Sequence, residues 1–566
     1  MGGLMIRRLV LVLALFLISA LAVSGSVATS GQSTQVAEHL RNRIEAAGVP
    51  PKLYVGEELI YASSMLPKFY ERRTYRPAWS SSGRPVEHVE DLLKAVRNAD
   101  LEGLTPGDYH LGRIEATLNQ IRQSMQKGLV LSPGILVDLD LLLTDAFLIL
   151  GSHLLSGRVN PETIDSEWHA VRRQADLAGV LEKALDSVGI ERSLAILLPP
   201  QTAYAGMREA LKFYRKIAAK GGWSTVPEGP ELVQGHSGER VAALARRLAA
   251  TADLSPSEVG EEDLFDEAVD KALRRFQKRH GLHVNGVVTP ATLSALNVSV
   301  EERIRQIELN MERWRWLPQK LGENHVMLNI ANYGLDVVET GVTVMTLRAV
   351  VGRPYRRTPV FSDSITYVVF NPYWFVTTNI ATQDILPILQ KDPGYLTRKK
   401  IRVFKGWGSA AIEIDPATID WSKITARNFP YALRQDPGSE NALGQIVFRF
   451  PNKYNVYMHD TPARDLFVHP QRSFSSGCIR LENPIELAIY LLRGDANWQR
   501  KQIEEAIKKG KEQTVRLPKP TPTHLLYWTA WVDEDGIVQF RKDIYERDEH
   551  LYEALKEPAP SKKQTK

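Results

Sequence analysis

The sequence predicts a multidomain α+β protein: a mainly helical N-terminal scaffold, a small three-helix unit, and a β-sandwich-like C-terminal domain with an inserted capping subdomain. Three observations support this fold class. With 566 residues, of which 43% are hydrophobic, the chain can form three or four domains with separate cores. Apolar residues recur at helical spacing up to residue 318, and from His325 they alternate as in strands. Between residues 377 and 440 a loop-rich stretch interrupts that alternation.

The first 28 residues have the features of a secretory signal. A basic pair, Arg7-Arg8, precedes an apolar run from Leu9 to Val23, and Ser26-Val27-Ala28 is a small-x-small cleavage sequence. The run is short for a membrane span of roughly 20 residues. We therefore expect cleavage, export across the inner membrane to the periplasm, and no stable transmembrane segment; an uncleaved anchor is the alternative.

A helical scaffold is predicted at 53–220, after a flexible lead at 29–52. Ile135 to Leu155 is long and apolar enough to suggest a membrane helix, but Asp138, Asp140 and Asp145 would each be costly in lipid. We therefore expect a buried helix of the scaffold.

Three short helices are predicted within residues 229–297, at Glu239–Thr251, Phe265–His280 and Pro290–Leu296. This unit resembles the three-helix peptidoglycan-binding domain, although any small bundle with a basic helix would show a similar pattern. A capping box at 299–302 then begins a connecting helix, predicted at 299–318.

Cys478 is the only cysteine of the chain and lies in the sequence Ser475-Ser476-Gly477-Cys478-Ile479-Arg480. An exported protein with one cysteine has no internal disulfide, so its thiol invites a functional explanation. Small residues before the thiol allow a tight turn whose N–H groups converge, as in an oxyanion hole. The alternative is a buried structural cysteine, which the serines, Gly477 and Arg480 argue against.

A nucleophilic cysteine needs a base, because a free thiol is only a few per cent thiolate at neutral pH. His459 ends an apolar–polar run from Phe448 to Met458 that predicts a strand, whereas His469 lies in a Pro/Arg/Ser-rich loop. We expect His459 to be the base. A cysteine, a histidine and an oxyanion hole indicate acyl transfer through a thioester, and these residues leave open whether water or an amine is the acceptor.

The sequences HDTP at 459–462 and SSGCIRL at 475–481 resemble the catalytic signature of the YkuD-type L,D-transpeptidases. The resemblance implies that Cys478 is the nucleophile and His459 its base, oriented by the main-chain carbonyl of Asp460. It also implies that the N–H groups of Gly477 and Cys478 hold the oxyanion and that Arg480 positions substrate or loop.

Most family members have a second histidine where this chain has Ser476, and the departure matches the family's large periplasmic branch. Substrate contacts are expected from Ser476 and from Asn371, Tyr373 and Trp374, which end a predicted strand just before the 377–440 insertion. The insertion is interpreted as a capping lid. The alternative is a surface insertion that has no part in the chemistry.

The catalytic domain is predicted at 325–513, followed by a C-terminal extension at 514–556 with a short hairpin and a disordered tail at 557–566. The chain has no Walker A sequence, no GxGxxG and no His/Cys spacing for zinc, so no cofactor and no metal are expected. Removing Arg7-Arg8 with the signal lowers the formal net charge from +5 to +3, which does not imply nucleic acid.

The resemblance implies attack on the L-to-D bond of a peptidoglycan tetrapeptide stem, loss of the terminal D-residue, and capture of the acyl group by a side-chain amine of a neighbouring stem. Such crosslinking belongs to cell wall biogenesis and cell shape, with carbapenem-type β-lactams as expected covalent inhibitors. The alternatives are a cysteine peptidase or amidase that hydrolyses stem peptides, and a non-catalytic wall-binding scaffold.

Overall fold

A computed structural model describes residues 33–169, 171–255, 257, 263–406 and 408–557. The predicted signal at 1–28 and the predicted tail from residue 558 onward lie outside the described residues.

The helices fall mainly in the first part of the chain. They are α1 33–45, α2 Leu66–Arg72, α3 His88–Arg97, α4 Leu111–Gln126, α5 Pro133–Ser156, α6 Pro161–Ile164, α7 Leu177–Lys183, α8 Ile190–Ala195, α9 Thr202–Ala218, α10 Glu239–Ala250, α11 Glu267–Arg279, α12 Pro290–Leu296, α13 Val300–Arg315, α14 Thr378–Ile380, α15 Leu386–Leu389, α16 Tyr395–Arg398, α17 Pro484–Leu492, α18 Arg500–Lys508 and α19 Arg547–Lys556.

The strands lie mainly after residue 323. They are β1 Leu53–Val55, β2 Glu58–Ile60, β3 Ser80–Ser81, β4 Arg84–Pro85, β5 Asn324–Asn329, β6 Gly334–Glu339, β7 Val342–Gly352, β8 Phe361–Phe370, β9 Trp374–Phe375, β10 Ile401–Lys405, β11 Ile412–Ile414, β12 Tyr431–Gln435, β13 Ile446–Arg449, β14 Met458–His459, β15 Ser473–Ser475, β16 Ile479–Leu481, β17 Gln513–Leu526, β18 Ala530–Val532 and β19 Val538–Phe540.

The flexible lead predicted at 29–52 is wrong for most of its length, because α1 occupies 33–45. Val36, Leu40 and Ile44 recur every four residues, which places them on one face of the helix. All three are buried in the core of the scaffold. The polar composition of the segment concealed this apolar stripe.

The long apolar helix α5 is buried in the scaffold core, and a buried helix is what the sequence predicted. Asp140 accepts hydrogen bonds from the N–H groups of Ala78 and Trp79, at 2.8 and 3.0 Å, and from the Tyr70 hydroxyl at 2.7 Å. The buried carboxylate therefore connects the helix to a neighbouring loop. Among the described residues, no helix is both long and apolar enough to cross a membrane.

The three-helix unit formed by α10 to α12 has its own core and also packs against the rest of the chain. The Arg279 guanidinium donates to the Tyr214 hydroxyl of α9 at 3.3 Å, and the His280 ring stacks on Phe540 with 5.4 Å between ring centroids. The unit is therefore docked against α9 and β19.

The C-terminal domain is built on a nine-stranded sheet in the order β15-β7-β16-β14-β13-β8-β17-β5-β6. Strand β6 also pairs with β7, so the sheet curls and closes on itself around an apolar core. The predicted sandwich-like core is thus made by one curled sheet.

The boundary predicted at residue 513 does not match this sheet. Strand β17 begins at Gln513 and lies between β8 and β5, antiparallel to the first and parallel to the second. The chain from 513 to 526 therefore belongs to the core of the C-terminal domain, and only the hairpin β18–β19 and helix α19 extend beyond it. A strand whose partners lie about 150 and about 200 residues earlier in the chain leaves no local signal of its place.

The inserted subdomain, residues 377–440, contributes α14 to α16 and β10 to β12 and has an apolar core of its own. With β9 its strands form a four-stranded sheet in the order β11-β10-β12-β9. Both of its ends join the large sheet, at β8 and β13.

Candidate active site

Cys478 lies in a short loop between β15 and β16 whose conformation is fixed by hydroxyl groups. The Ser475 hydroxyl donates to the Cys478 carbonyl at 2.6 Å and accepts from the Gly477 N–H at 3.1 Å. The Thr358 hydroxyl donates to the Gly477 carbonyl at 2.8 Å. Gly477 has a φ of +114°, a backbone conformation that other residues rarely adopt. The loop therefore holds the thiol in one position, half-buried.

The run from Phe448 to His459 is two strands, and the single strand predicted there is wrong. Strands β13 and β14 are antiparallel, with Phe448 opposite Met458 and Val447 opposite His459. Pro451 stands at the reversal, and Asn455 has a φ of +54°, so the chain turns back on itself. His459 nevertheless lies at a strand end, as the sequence analysis required.

Strand β14 runs parallel to β16 and brings the predicted residues to one face of the sheet. Met458 pairs with Ile479, and both point into the core. Side chains alternate along a strand, so Tyr457, His459 and Cys478 share the opposite face, together with Arg480. His459 and Cys478 are two register steps apart, about 7 Å along the strand direction.

The His459 imidazole is buried, with 4% of its surface exposed, and its Nδ1 bonds to the Asp460 carbonyl. The Asp460 carboxylate accepts from the Gln445 N–H at 2.8 Å and pairs with Arg464, which fixes the peptide that presents this carbonyl. Burial, and then the charge of Arg480, lower the pKa of His459 to about 3, although bonds to the backbone of Asp460 and Leu443 oppose the shift. The imidazole is therefore neutral at neutral pH.

Burial raises the pKa of the Cys478 thiol. The backbone of Tyr457, then the charges of Arg449 and Arg480, and then the Tyr457 side chain oppose this shift. The sulfur itself lies 3.9 Å from the Asn455 carbonyl. Among the hydrogen bonds of the described residues, none joins the His459 imidazole to the thiol. The resting site therefore holds a neutral thiol and a neutral imidazole side by side.

Tyr457 is the site residue that the sequence analysis did not select. Its hydroxyl interacts with the Cys478 sulfur, and the Arg449 guanidinium lies 4.1 Å from its ring centroid. Its ring is also 5.7 Å from that of His459. The available signal was strand alternation, because residue 457 must share a face with residue 459.

The two expected oxyanion donors differ in their hydrogen bonding. The Gly477 N–H is already engaged by the Ser475 hydroxyl. In the part of the chain that the structure describes, the Cys478 N–H has no backbone acceptor. The Cys478 N–H is thus the donor that is open to a substrate oxygen.

Ser476 and Arg480 lie beside the thiol in different ways. The Ser476 hydroxyl is exposed and accepts from Arg356 at 2.9 Å, and the same guanidinium pairs with Asp384 of the inserted subdomain. Arg356 therefore links the cysteine loop to the inserted subdomain. Arg480 is half-buried, and its Nε has no hydrogen-bond partner among the described residues.

The three residues that precede the insertion and were expected to contact substrate have different environments. Asn371 is buried, and its side-chain amide donates to the carbonyls of Ala506 and Lys511, so it fixes the backbone. The Tyr373 ring packs under the Arg434 guanidinium at 4.7 Å. Trp374 packs in a small apolar cluster with Val369, Leu443, Val447 and Tyr457, which places it on the catalytic face.

His469, the alternative base, lies away from the thiol. Its side chain is exposed, and its ring makes an edge contact with Phe474 at 5.9 Å between centroids. Among the described residues, no group of three or more His, Cys, Asp or Glu side chains is arranged to hold a metal ion.

Comparison with known families gives three matches along the chain. Residues 323–503 match the L,D-transpeptidase catalytic domain (YkuD), residues 237–296 match a family described as "Putative peptidoglycan binding domain", and residues 64–211 match a scaffold domain. The resemblance to the YkuD-type catalytic domain and to the peptidoglycan-binding domain, expected from the motifs, is confirmed. The expected α+β multidomain fold class is confirmed as well.

A curated relative from Haemophilus influenzae, named "Putative L,D-transpeptidase", is 34% identical over 254 residues, which is 45% of this chain and 50% of the relative. The match therefore spans half the length of that protein. Two solved structures are similar at lower identity. The L,D-transpeptidase from Xylanimonas cellulosilytica has 16% identity and a TM-score of 0.18, with 53% of this chain and 98% of that chain covered. The Ldtfm-avibactam carbamoyl enzyme has 11% identity and a TM-score of 0.17, with 37% and 51% covered.

Proposed function

We propose that this protein is an L,D-transpeptidase that crosslinks peptidoglycan stem peptides through a thioester on Cys478. The observation that carries the proposal is the shared face of β14 and β16. There the single thiol and a carbonyl-oriented imidazole lie side by side within the region that matches the catalytic domain. The match to a peptidoglycan-binding domain supports the same polymer as substrate.

The first half of the reaction begins with a thiol that is not ionised at rest. On attack, the sulfur bonds to the carbonyl carbon of the L-to-D peptide bond and its proton passes to His459. The carbonyl oxygen becomes an oxyanion that the Cys478 N–H stabilises. The Asp460 carbonyl stabilises the imidazolium that forms. His459 then returns the proton to the leaving amine, the C–N bond breaks, and the terminal D-residue leaves.

In the second half, the side-chain amine of another stem attacks the thioester, His459 accepts the amine proton, and the Cys478 thiolate leaves and is reprotonated. Transfer to an amine requires that water be kept from the thioester. The inserted subdomain supports this role because Arg356 ties its Asp384 to Ser476 beside the nucleophile.

Three further parts of the proposal rest on the same chemistry. Carbapenem-type β-lactams carry a strained acyl group that Cys478 opens to a stable thioester. The substrate is a wall polymer, so the protein works in the periplasm after export, in cell wall biogenesis and the maintenance of cell shape. The diamino acid of the stem that supplies the amine is left open.

The test is mass spectrometry of the full-length protein incubated with a stem tetrapeptide. We expect a crosslinked dimer and a transient thioester on Cys478. A tripeptide product alone would indicate a peptidase, and no product would indicate a wall-binding scaffold. Cys478→Ala is expected to form neither product nor adduct while it keeps the wild-type melting temperature, because the half-buried side chain loses only one atom.

A parallel measurement addresses the β-lactams. Intact-mass analysis after carbapenem treatment is expected to show one adduct on the wild type and none on Cys478→Ala. An adduct that persists in the variant would refute the assignment of the nucleophile.

A further inference from the structure

A cavity of about 630 Å³ lies where three parts of the protein meet, away from the thiol. Its walls come from the three-helix unit at 280–298, from the catalytic-domain loop at 467–472, and from the C-terminal segment at 540–544. A cavity of this size accommodates a short peptide or a comparable ligand.

The charged side chains that line the cavity are all basic. Arg303, Arg348, Arg472, Arg541 and Lys542 all line the cavity, and none of the lining residues is Asp or Glu. Arg348 pairs with Glu482, which stands outside the lining. In the described part of the chain, the other four cations make no ion pair.

Two of the guanidinium groups, those of Arg472 and Arg541, donate their hydrogen bonds to neutral acceptors. Arg472 donates to the carbonyls of His469 at 2.7 Å, Tyr333 at 3.0 Å and Ala349 at 3.1 Å. Arg541 donates to the Asn332 side chain at 2.8 Å. Preorganised cations without anionic partners are the usual construction of an anion-binding site.

Two further observations concern the cationic side chains of the lining. Arg303 is 7% exposed, and its buried Nε has no partner among the described residues. Burial and the charge of Arg348 lower the pKa of Arg472, and burial and Arg472 lower that of Arg541 to about 10. An anion in the cavity would offset the mutual repulsion of Arg348, Arg472 and Arg541.

The wall of the cavity continues directly into the cysteine loop. Arg472 precedes β15, and five residues separate it from Cys478, a span of at most about 20 Å of extended chain. A polymer held in the cavity therefore lies within reach of the nucleophile.

We infer that this cavity binds the free carboxylates of a second peptidoglycan stem peptide and so holds the polymer beside the catalytic face. The inference rests on the proposed function for the identity of the ligand. That the ligand is an anion follows from the lining residues alone.

The test uses zero-length carbodiimide coupling, which joins a bound carboxylate to a nearby lysine amine. Full-length Cys478→Ala is incubated with a stem tetrapeptide, and the coupled lysines are mapped by mass spectrometry. We expect labelling at Lys542 at about ten times the level at Lys519, an exposed lysine of β17 that serves as the internal control. The tetrapeptide with its carboxylates amidated is expected to label neither residue.

Two measurements make the result specific. Arg472→Gln is expected to lower Lys542 labelling about tenfold, with the melting temperature measured because Arg472 also anchors its loop. In the unmutated cavity, raising NaCl from about 50 to about 500 mM is expected to reduce labelling at Lys542 but not at Lys519.

Equal labelling of the two lysines, or no effect of salt, would overturn the inference. Equal labelling by tetraglutamate would overturn the assignment to a stem peptide. The proposed function is tested separately, by incubating wild-type protein with the same tetrapeptide. If it is wrong, no thioester forms on Cys478.

Discussion

Removal of the Tyr457 hydroxyl tests how the active site makes its thiolate. Tyr457→Phe deletes one oxygen that interacts with the Cys478 sulfur and leaves the ring stacked against Arg449. A hydrogen bond to a charged group contributes about 1.5–3 kcal/mol, and the thiol is half-buried, so the lower end applies. That corresponds to a thiolate population about tenfold smaller in the variant.

The assay is the rate of iodoacetamide alkylation of Cys478 as a function of pH. Burial already raises the pKa of the wild-type thiol, so the wild-type rate should rise with pH and level off above the ordinary range of a free cysteine. The variant's curve is expected to shift to still higher pH, so that its rate at pH 7.5 is about tenfold lower. Above both pKa values the two rates should meet.

Tyr367→Phe, the same deletion on strand β8, which β13 separates from β14, is the matched control and should leave the curve unchanged. The reasoning would be refuted by superimposable curves for wild type and Tyr457→Phe. A shift of equal size in the control would refute it as well.

Three more predictions concern the base, the inserted subdomain and the scaffold. His459→Ala should lower acyl transfer by about 10²–10⁴-fold in a tetrapeptide crosslinking assay; a larger loss from His469→Ala would show that the other imidazole is the base. Arg356→Gln should increase the hydrolysed fraction of the carbapenem adduct about fivefold. The reason is that a partly buried ion pair of about 1 kcal/mol no longer links the subdomain to the cysteine loop. An unchanged adduct lifetime would contradict this prediction. Leu40→Ala should lower the free energy of unfolding by about 2–5 kcal/mol in urea titrations, while Glu38→Ala on the exposed face of α1 should change it by less than about 0.5 kcal/mol.

Local features of the sequence singled out the candidate-site residues whose chemistry is conspicuous. Cys478 could be selected because it is the only cysteine and follows small residues. His459 could be selected because such a thiol needs a base, and this histidine lies 19 positions earlier at a predicted strand end. The long apolar helix, the three short helices and the change to strands at His325 were also determined locally, by spacing and by capping or turn residues. Helix α1 was not predicted, because its three buried apolar residues lie among many polar ones and give only a weak periodic pattern.

Tertiary structure decided which side chains surround the thiol. Tyr457 is unremarkable in sequence, and it belongs to the site because β14 pairs in parallel with β16, a register that no local pattern specifies. For the same reason β17 could not be placed from sequence: its partners are far away in the chain, and only the closed sheet assigns it to the core. The inferred binding of anions in the cavity also depends on tertiary structure. Its arginines come from separate segments and lie together only after the chain has folded.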